Sequence, residues 1–240
     1  MSALEVQDGI EERYWGIELP EELYQEARDL IELTAALEQE GVNDWNKQAF
    51  QLLSKLVFTS VHSYYTTPVN AELPPLAPDV AADDVVETIG LGLTFVLARY
   101  LQGRSLQELK DLAAYLDGLL IRDGSTQAVR LAFPLSDTDE HQVRDLVSRV
   151  RLRPEIEEYR AEIRELVLKV VYGSVERFFK PKASGGTQDP HLQRAIQYGL
   201  EDISQNLEAF LNQLLPSVPV AHLAHFAAYV ESKIFSPSAA

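Results

Sequence analysis

Ser105-Leu-Gln-Glu-Leu-Lys-Asp-Leu-Ala-Ala-Tyr-Leu-Asp-Gly-Leu-Leu120 decides the fold class. Leu106, Leu109, Leu112, Leu116, Leu119 and Leu120 fall on one helical face and do not follow the two-residue alternation of a strand. Ser105 precedes the run, and Glu108 follows it by three residues. In such a capping box the serine oxygen accepts from an orphan amide and the glutamate accepts from the serine amide. Gly124 is expected to end the helix as a left-handed cap.

The same punctuation recurs on both sides. Helices are predicted from about Glu21 to Leu37, Asn43 through Tyr65, Asp83 or Asp84 to before Gly103, and Ser136 toward Val150. Further helices are predicted from Pro154 onward, from about His191 to Leu215, and from about Val220 to Phe235. Thr126–Phe133 is ambiguous between helix and strand. Thr66–Ala82, with Pro68, Pro74, Pro75 and Pro78, cannot be helical throughout. Lys180–Pro190, with Gly185 and Gly186, reads as a loop open to proteolysis at Ala183–Thr187.

Two stretches match each other. Lys55-Leu-Val-Phe-Thr-Ser-Val-His-Ser-Tyr-Tyr65 resembles Lys169-Val-Val-Tyr-Gly-Ser-Val-Glu-Arg-Phe-Phe179, 114 positions on. Leu112-Ala-Ala-Tyr-Leu116 resembles Phe226-Ala-Ala-Tyr-Val230 at the same offset. Arg28-Asp-Leu30 and Arg144-Asp-Leu146 lie 116 apart, and Tyr100-Leu101 and Phe210-Leu211 lie 110 apart. Collinear anchors at nearly one spacing point to an internal repeat. The expected fold is all-α, with two tandem, diverged four-helix units forming a bundle or a short solenoid-like stack. Its expected divisions are an acidic segment 1–20, repeats 21–124 and 137–236, a linker 125–136 and a tail 237–240.

Composition narrows the function. The chain has 240 residues, 46% of them hydrophobic, which suffices for a sizeable core. It holds no cysteine, so disulfides, thiolate metal sites and a cysteine nucleophile are excluded. Net charge is −16. Through Asp44, thirteen acidic residues face only Arg13 and Arg28, a net of −11. That field repels phosphate backbones and favours a basic partner, so nucleic acid is not an expected ligand. The N-terminus is acidic where a secretory signal needs positive charge. The apolar run Ile89–Ala98 is shorter than the roughly 20 residues of a membrane span. A soluble, cytoplasmic protein is the expectation, with self-association open.

Four groups are candidate sites. Arg149, Arg151 and Arg153 alternate before Pro154; in an extended chain they would project on one side and grip a phosphate, a carboxylate or an acidic segment, including this protein's own first helix. His222 and His225 share a helical face and form a weak candidate metal pair, with Glu208 or Glu231 as a third ligand. No histidine follows a glutamate by three, which argues against a di-iron bundle. Phe58, Tyr65, Phe95, Tyr172 and Phe179 are the candidate lining of an apolar pocket. Gly90-Leu-Gly92 lacks a third glycine and a preceding strand, and reads as a place of close helix approach. Phosphate-binding loops, a nucleophile elbow and a zinc-protease motif are absent. The expected function is therefore a non-catalytic interaction protein (adaptor, assembly factor or regulator) with a protein partner and no cofactor. A carrier of an apolar small molecule is the alternative, and an enzyme of unknown class stands third.

Overall fold

Amphipathic helices dominate the computed structural model, which describes residues 12–38, 41–72, 82–102, 104–179 and 190–238. In chain order the elements are β1 (Arg13–Glu18), α1 (Glu21–Ala35), α2 (Val42–Glu72), α3 (Ala82–Leu101), α4 (Leu106–Leu119) and β2 (Leu120–Arg122). There follow β3 (Val129–Leu135), α5 (Asp137–Leu152), α6 (Glu158–Phe179), α7 (Pro190–Ser217), α8 (Val220–Glu231) and β4 (Ile234–Phe235). The capping box forms as predicted: the Ser105 hydroxyl accepts from the Glu108 amide, and the Glu108 carboxylate accepts from the Ser105 amide at 2.7 Å. Leu109, Leu112, Leu116 and Leu119 are buried beneath it.

The fold is mostly helical, but all-α is incomplete. A small antiparallel sheet runs in the order β2-β3-β1-β4. Helical periodicity hid it because its outer strands are only three and two residues long. Thr126–Phe133 resolves in favour of strand, with β3 in the sheet centre. The last helix stops at Glu231, and Ile234–Phe235 pair with β1 instead of extending it. Gly124 does not cap α4, which ends at Leu119. It lies in the β2–β3 turn, where its amide donates to the Ser236 carbonyl and a side chain would meet the Pro237 carbonyl at 2.9 Å.

β1 finds its partners far along the chain, whereas β2 and β3 form a local hairpin. β1 pairs with β3 and β4, and β2 pairs with β3. Gly16 sits opposite Ala132 at the centre. A Cβ on Gly16 would stand 2.6 Å from the Ala132 Cβ, so the close strand approach requires glycine. The helices form a matching series. α1 packs on α4 and α2, α2 on α3, α3 on α7, α7 on α6, and α5 on α6 and α8. The core runs through all of them, from Trp15, Ile17 and Leu30 to Tyr100, Phe210 and Leu223.

Two predicted loops differ in part. α2 continues through Pro68 to Glu72, while residues 73–81 of the predicted loop Thr66–Ala82 lie outside the described residues. Residues 180–189 also lie outside them, including the predicted cleavage point at Ala183–Thr187. No helix of the described residues is long and apolar enough to cross a membrane.

Candidate functional site

The arginine run is helical, not extended. Val143, Val147 and Val150 keep the apolar stripe of α5 going to Leu152, so Arg149 and Arg151 fall in its last turn and Arg153 caps it. Cations there offset the negative end of the helix dipole. Arg149 grips Glu162 through both terminal nitrogens, at 3.1 and 2.6 Å, and bonds Asp145 at 2.9 Å. Its guanidinium also lies 5.3 Å from the Tyr159 ring centroid. The Glu162 hydrogen bonds, joined by those to Asp145, raise its pKa further and fix the charge. Arg151 pairs with Glu231 at 3.0 Å. Arg153 is exposed and forms no ion pair among the described residues. Two of the three candidates are therefore held by carboxylates of their own half of the chain, and neither reaches α1.

His222 and His225 do share a face of α8, with ring centroids 6.0 Å apart and edge-on. His222 is half-buried and His225 exposed. Among the described residues, no group of three or more histidine or carboxylate side chains is placed to hold a metal ion.

The aromatic candidates lie on three helices. Phe58 on α2 and Phe95 on α3 are 37% and 56% exposed, and Tyr172 on α6 is half-buried. Tyr65 lies within α2 and Phe179 ends α6, with side chains outside the described residues. Gly90 does permit close approach: a methyl there would overlap the Phe58 ring.

Phe95 belongs to an outward apolar stripe on α3. Leu91 is 58% exposed one turn before it, and Ala98 is exposed one turn after. The Arg99 guanidinium lies 5.4 Å from the Phe95 ring centroid. Ala98 continues into an open groove of about 380 Å3 against α2, floored by Phe50 and Leu101. α7 lies beside α3, yet its exposed positions include Glu201, Gln205 and Glu208. A second open groove, of about 360 Å3, lies at the α1–α2 corner among Leu33, Ala36, Leu37 and Trp45. Glu38 and Asp44 form its rim.

Two polar clusters escaped sequence reasoning. Asp123 is buried and accepts from the Ser125 amide and hydroxyl, the Thr126 amide and Arg130 at 2.8 Å. Burial pushes its carboxyl up, but those donors outweigh it and hold the group below the usual aspartate value. Arg130 in turn donates to the Ser232 carbonyl and stacks 4.9 Å from Phe235, so the cluster pins the β2–β3 turn to the C-terminal strand. In the second cluster, the buried Lys233 ammonium donates to the Ser63 hydroxyl at 3.1 Å and lies 4.1 Å from the Tyr229 ring. Tyr229 donates to the Ser63 carbonyl. Tyr115 donates likewise to the Arg177 carbonyl at 2.8 Å. These are the tyrosines of the matching Ala-Ala-Tyr anchors, and each ties one half of the chain to the other. The available signal was that match; the partners lie too far away in sequence to be read. Scans against protein-family models, curated proteins and solved structures each return no match to this chain.

Proposed function

We propose that the chain is a diverged tandem duplication that serves as a non-catalytic interaction protein, binding a protein partner through the outer face of α3. Each unit is a strand, four helices and a strand, so the helical units read from sequence extend to include β1 to β2 and β3 to β4. Equivalent positions support the duplication. Pro20 and Ser136 precede α1 and α5 and stand 116 apart; Ser105 and Pro219 precede α4 and α8 and stand 114 apart. Buried Ala27, Leu30 and Thr34 correspond to buried Val143, Leu146 and Val150. The two tyrosine-to-carbonyl bonds correspond as well.

One observation carries the functional reading. Leu91, Phe95 and Ala98 leave an apolar stripe where the corresponding positions of α7 are Glu201, Gln205 and Glu208. The fold accepts charge there, so packing does not require the apolar version. Exposed apolar patches rimmed by polar groups mark association surfaces. The acid-rich first 44 residues favour a partner that is basic nearby.

The test is affinity capture from source cells with quantitative mass spectrometry. A Leu91→Glu/Phe95→Glu variant should melt like the wild type and lose a stoichiometric protein partner. A Glu201→Lys/Glu208→Lys control on α7 should keep it. Retention of the partner by the α3 variant overturns the reading. Capture of a small discrete mass without protein overturns it in favour of the carrier.

A further inference from the structure

The α1–α2 corner and the α5–α6 corner occupy the same place in the two halves, yet their surfaces are opposite. In the first half, the end of α1 and the start of α2 form a groove of about 360 Å3 with an apolar floor of Leu33, Leu37 and Trp45. Its rim carries Glu38 and Asp44; Lys47 lies 3.5 Å from Asp44, and Glu38 forms no ion pair among the described residues. In the second half, the end of α5 carries Leu152, 78% exposed, between Arg151 and Arg153. Leu152 is the most exposed of the large hydrophobic side chains among the described residues. One corner is an apolar hole with a partly acidic edge; the other presents an exposed leucine next in sequence to Arg153, while Arg151 is held by Glu231.

We infer that the α5–α6 corner of one copy of this chain docks into the α1–α2 groove of a second copy, giving head-to-tail self-association. Three observations choose this occupant. The chain's own knob does not fill its own hole, because α5 packs on α6 and α8. Arg153 has no carboxylate among the described residues, so it is available to meet Glu38. Finally, each copy carries −16, so a contact between copies must bring opposite charges together locally. Groove against groove would set Glu38 and Asp44 against their own counterparts. Groove against the α5 end sets Glu38 against Arg153, and a guanidinium group suits carboxylate recognition. Because the two surfaces differ, the contact is heterologous. It propagates into a ring or a row and does not stop at a symmetric pair.

Sedimentation velocity of the purified full chain, over a wide concentration range at physiological ionic strength, tests this. The wild type should gain mass with concentration. Leu152→Asp, which blunts the knob, should weaken association by about tenfold or more, as loss of a central apolar anchor does. Leu37→Arg, which blocks the groove, should do the same, and Arg153→Glu should weaken it through the rim. Melting curves matching the wild type establish that each variant is folded. The decisive arm mixes Leu152→Asp with Leu37→Arg. Each alone has one usable surface, so the mixture should form a one-to-one dimer and go no further. A wild type that stays monomeric overturns the inference, as does a mixture no larger than its components. Neither outcome touches the α3 reading, which concerns a different face.

Discussion

Aligned as the proposed duplication requires, the two halves of this molecule agree inside and disagree outside. Leu109 of α4 and Leu223 of α8 are both fully buried, as are Ala27 of α1 and Val143 of α5. Trp45 and Tyr159 fill matching sites at the starts of α2 and α6. On the surface, α3 shows Leu91 and Phe95 where α7 shows Glu201 and Gln205. The α1 end is acidic and grooved, and the α5 end is basic and protruding. Interior positions answer to packing density and tolerate few exchanges. Surface positions are free to change at little cost in stability, so a surface that stays apolar in one half alone calls for a cause outside the fold.

Substitutions can break this comparison or sharpen it. The largest effects belong to the shared interior: Leu109→Ala and Leu223→Ala should each cost about 2–5 kcal/mol in denaturant unfolding. They should agree with each other, and a cost confined to one of them would dissolve the structural equivalence. Next comes a difference within the core. The Trp45 indole donates to the Thr34 hydroxyl at 2.6 Å, whereas Val150 takes the place of Thr34 in the second half. Thr34→Val should therefore cost about 1–3 kcal/mol by orphaning a buried donor.

A similar cost, about 1–3 kcal/mol at neutral pH, is expected for Asp123→Asn, which leaves Arg130 without its carboxylate. Its pH dependence has a definite sign. The folded carboxyl sits below its unfolded value of about 3.9, so its contribution is complete above that pH. It is lost as the pH falls through the lowered folded value, and the gap between wild type and variant should close only in acid. Smaller again, Ser105→Ala should cost about 1 kcal/mol, because its hydroxyl caps α4. Pro219, at the start of α8, has no side-chain cap to lose. Both are readable from urea midpoints.

Much of the helical framework was legible. Leucine spacing and the Ser105–Glu108 box mark α4 because both signals are local. The sheet was not legible, because β1 gains β3 and β4 only from far along the chain, and the local β2–β3 pair rests on a strand of three residues. The helical state of Arg149 and Arg151 was present in the valine spacing of α5 but masked by the alternation of arginines before Pro154. Sequence offers Phe58 and Phe95 as lining of an apolar pocket and cannot say that both reach the surface. Exposure of one helical face depends on which neighbours cover it, and those neighbours are distant in sequence.

The α3 reading meets its most direct test in site-specific photo-crosslinking within source cells. A photoreactive residue is placed at Phe95 in one variant and at the corresponding Gln205 in another. Binding through α3 predicts a discrete protein adduct from position 95 and none from position 205. Equal adducts at both positions, or none at 95, would contradict it.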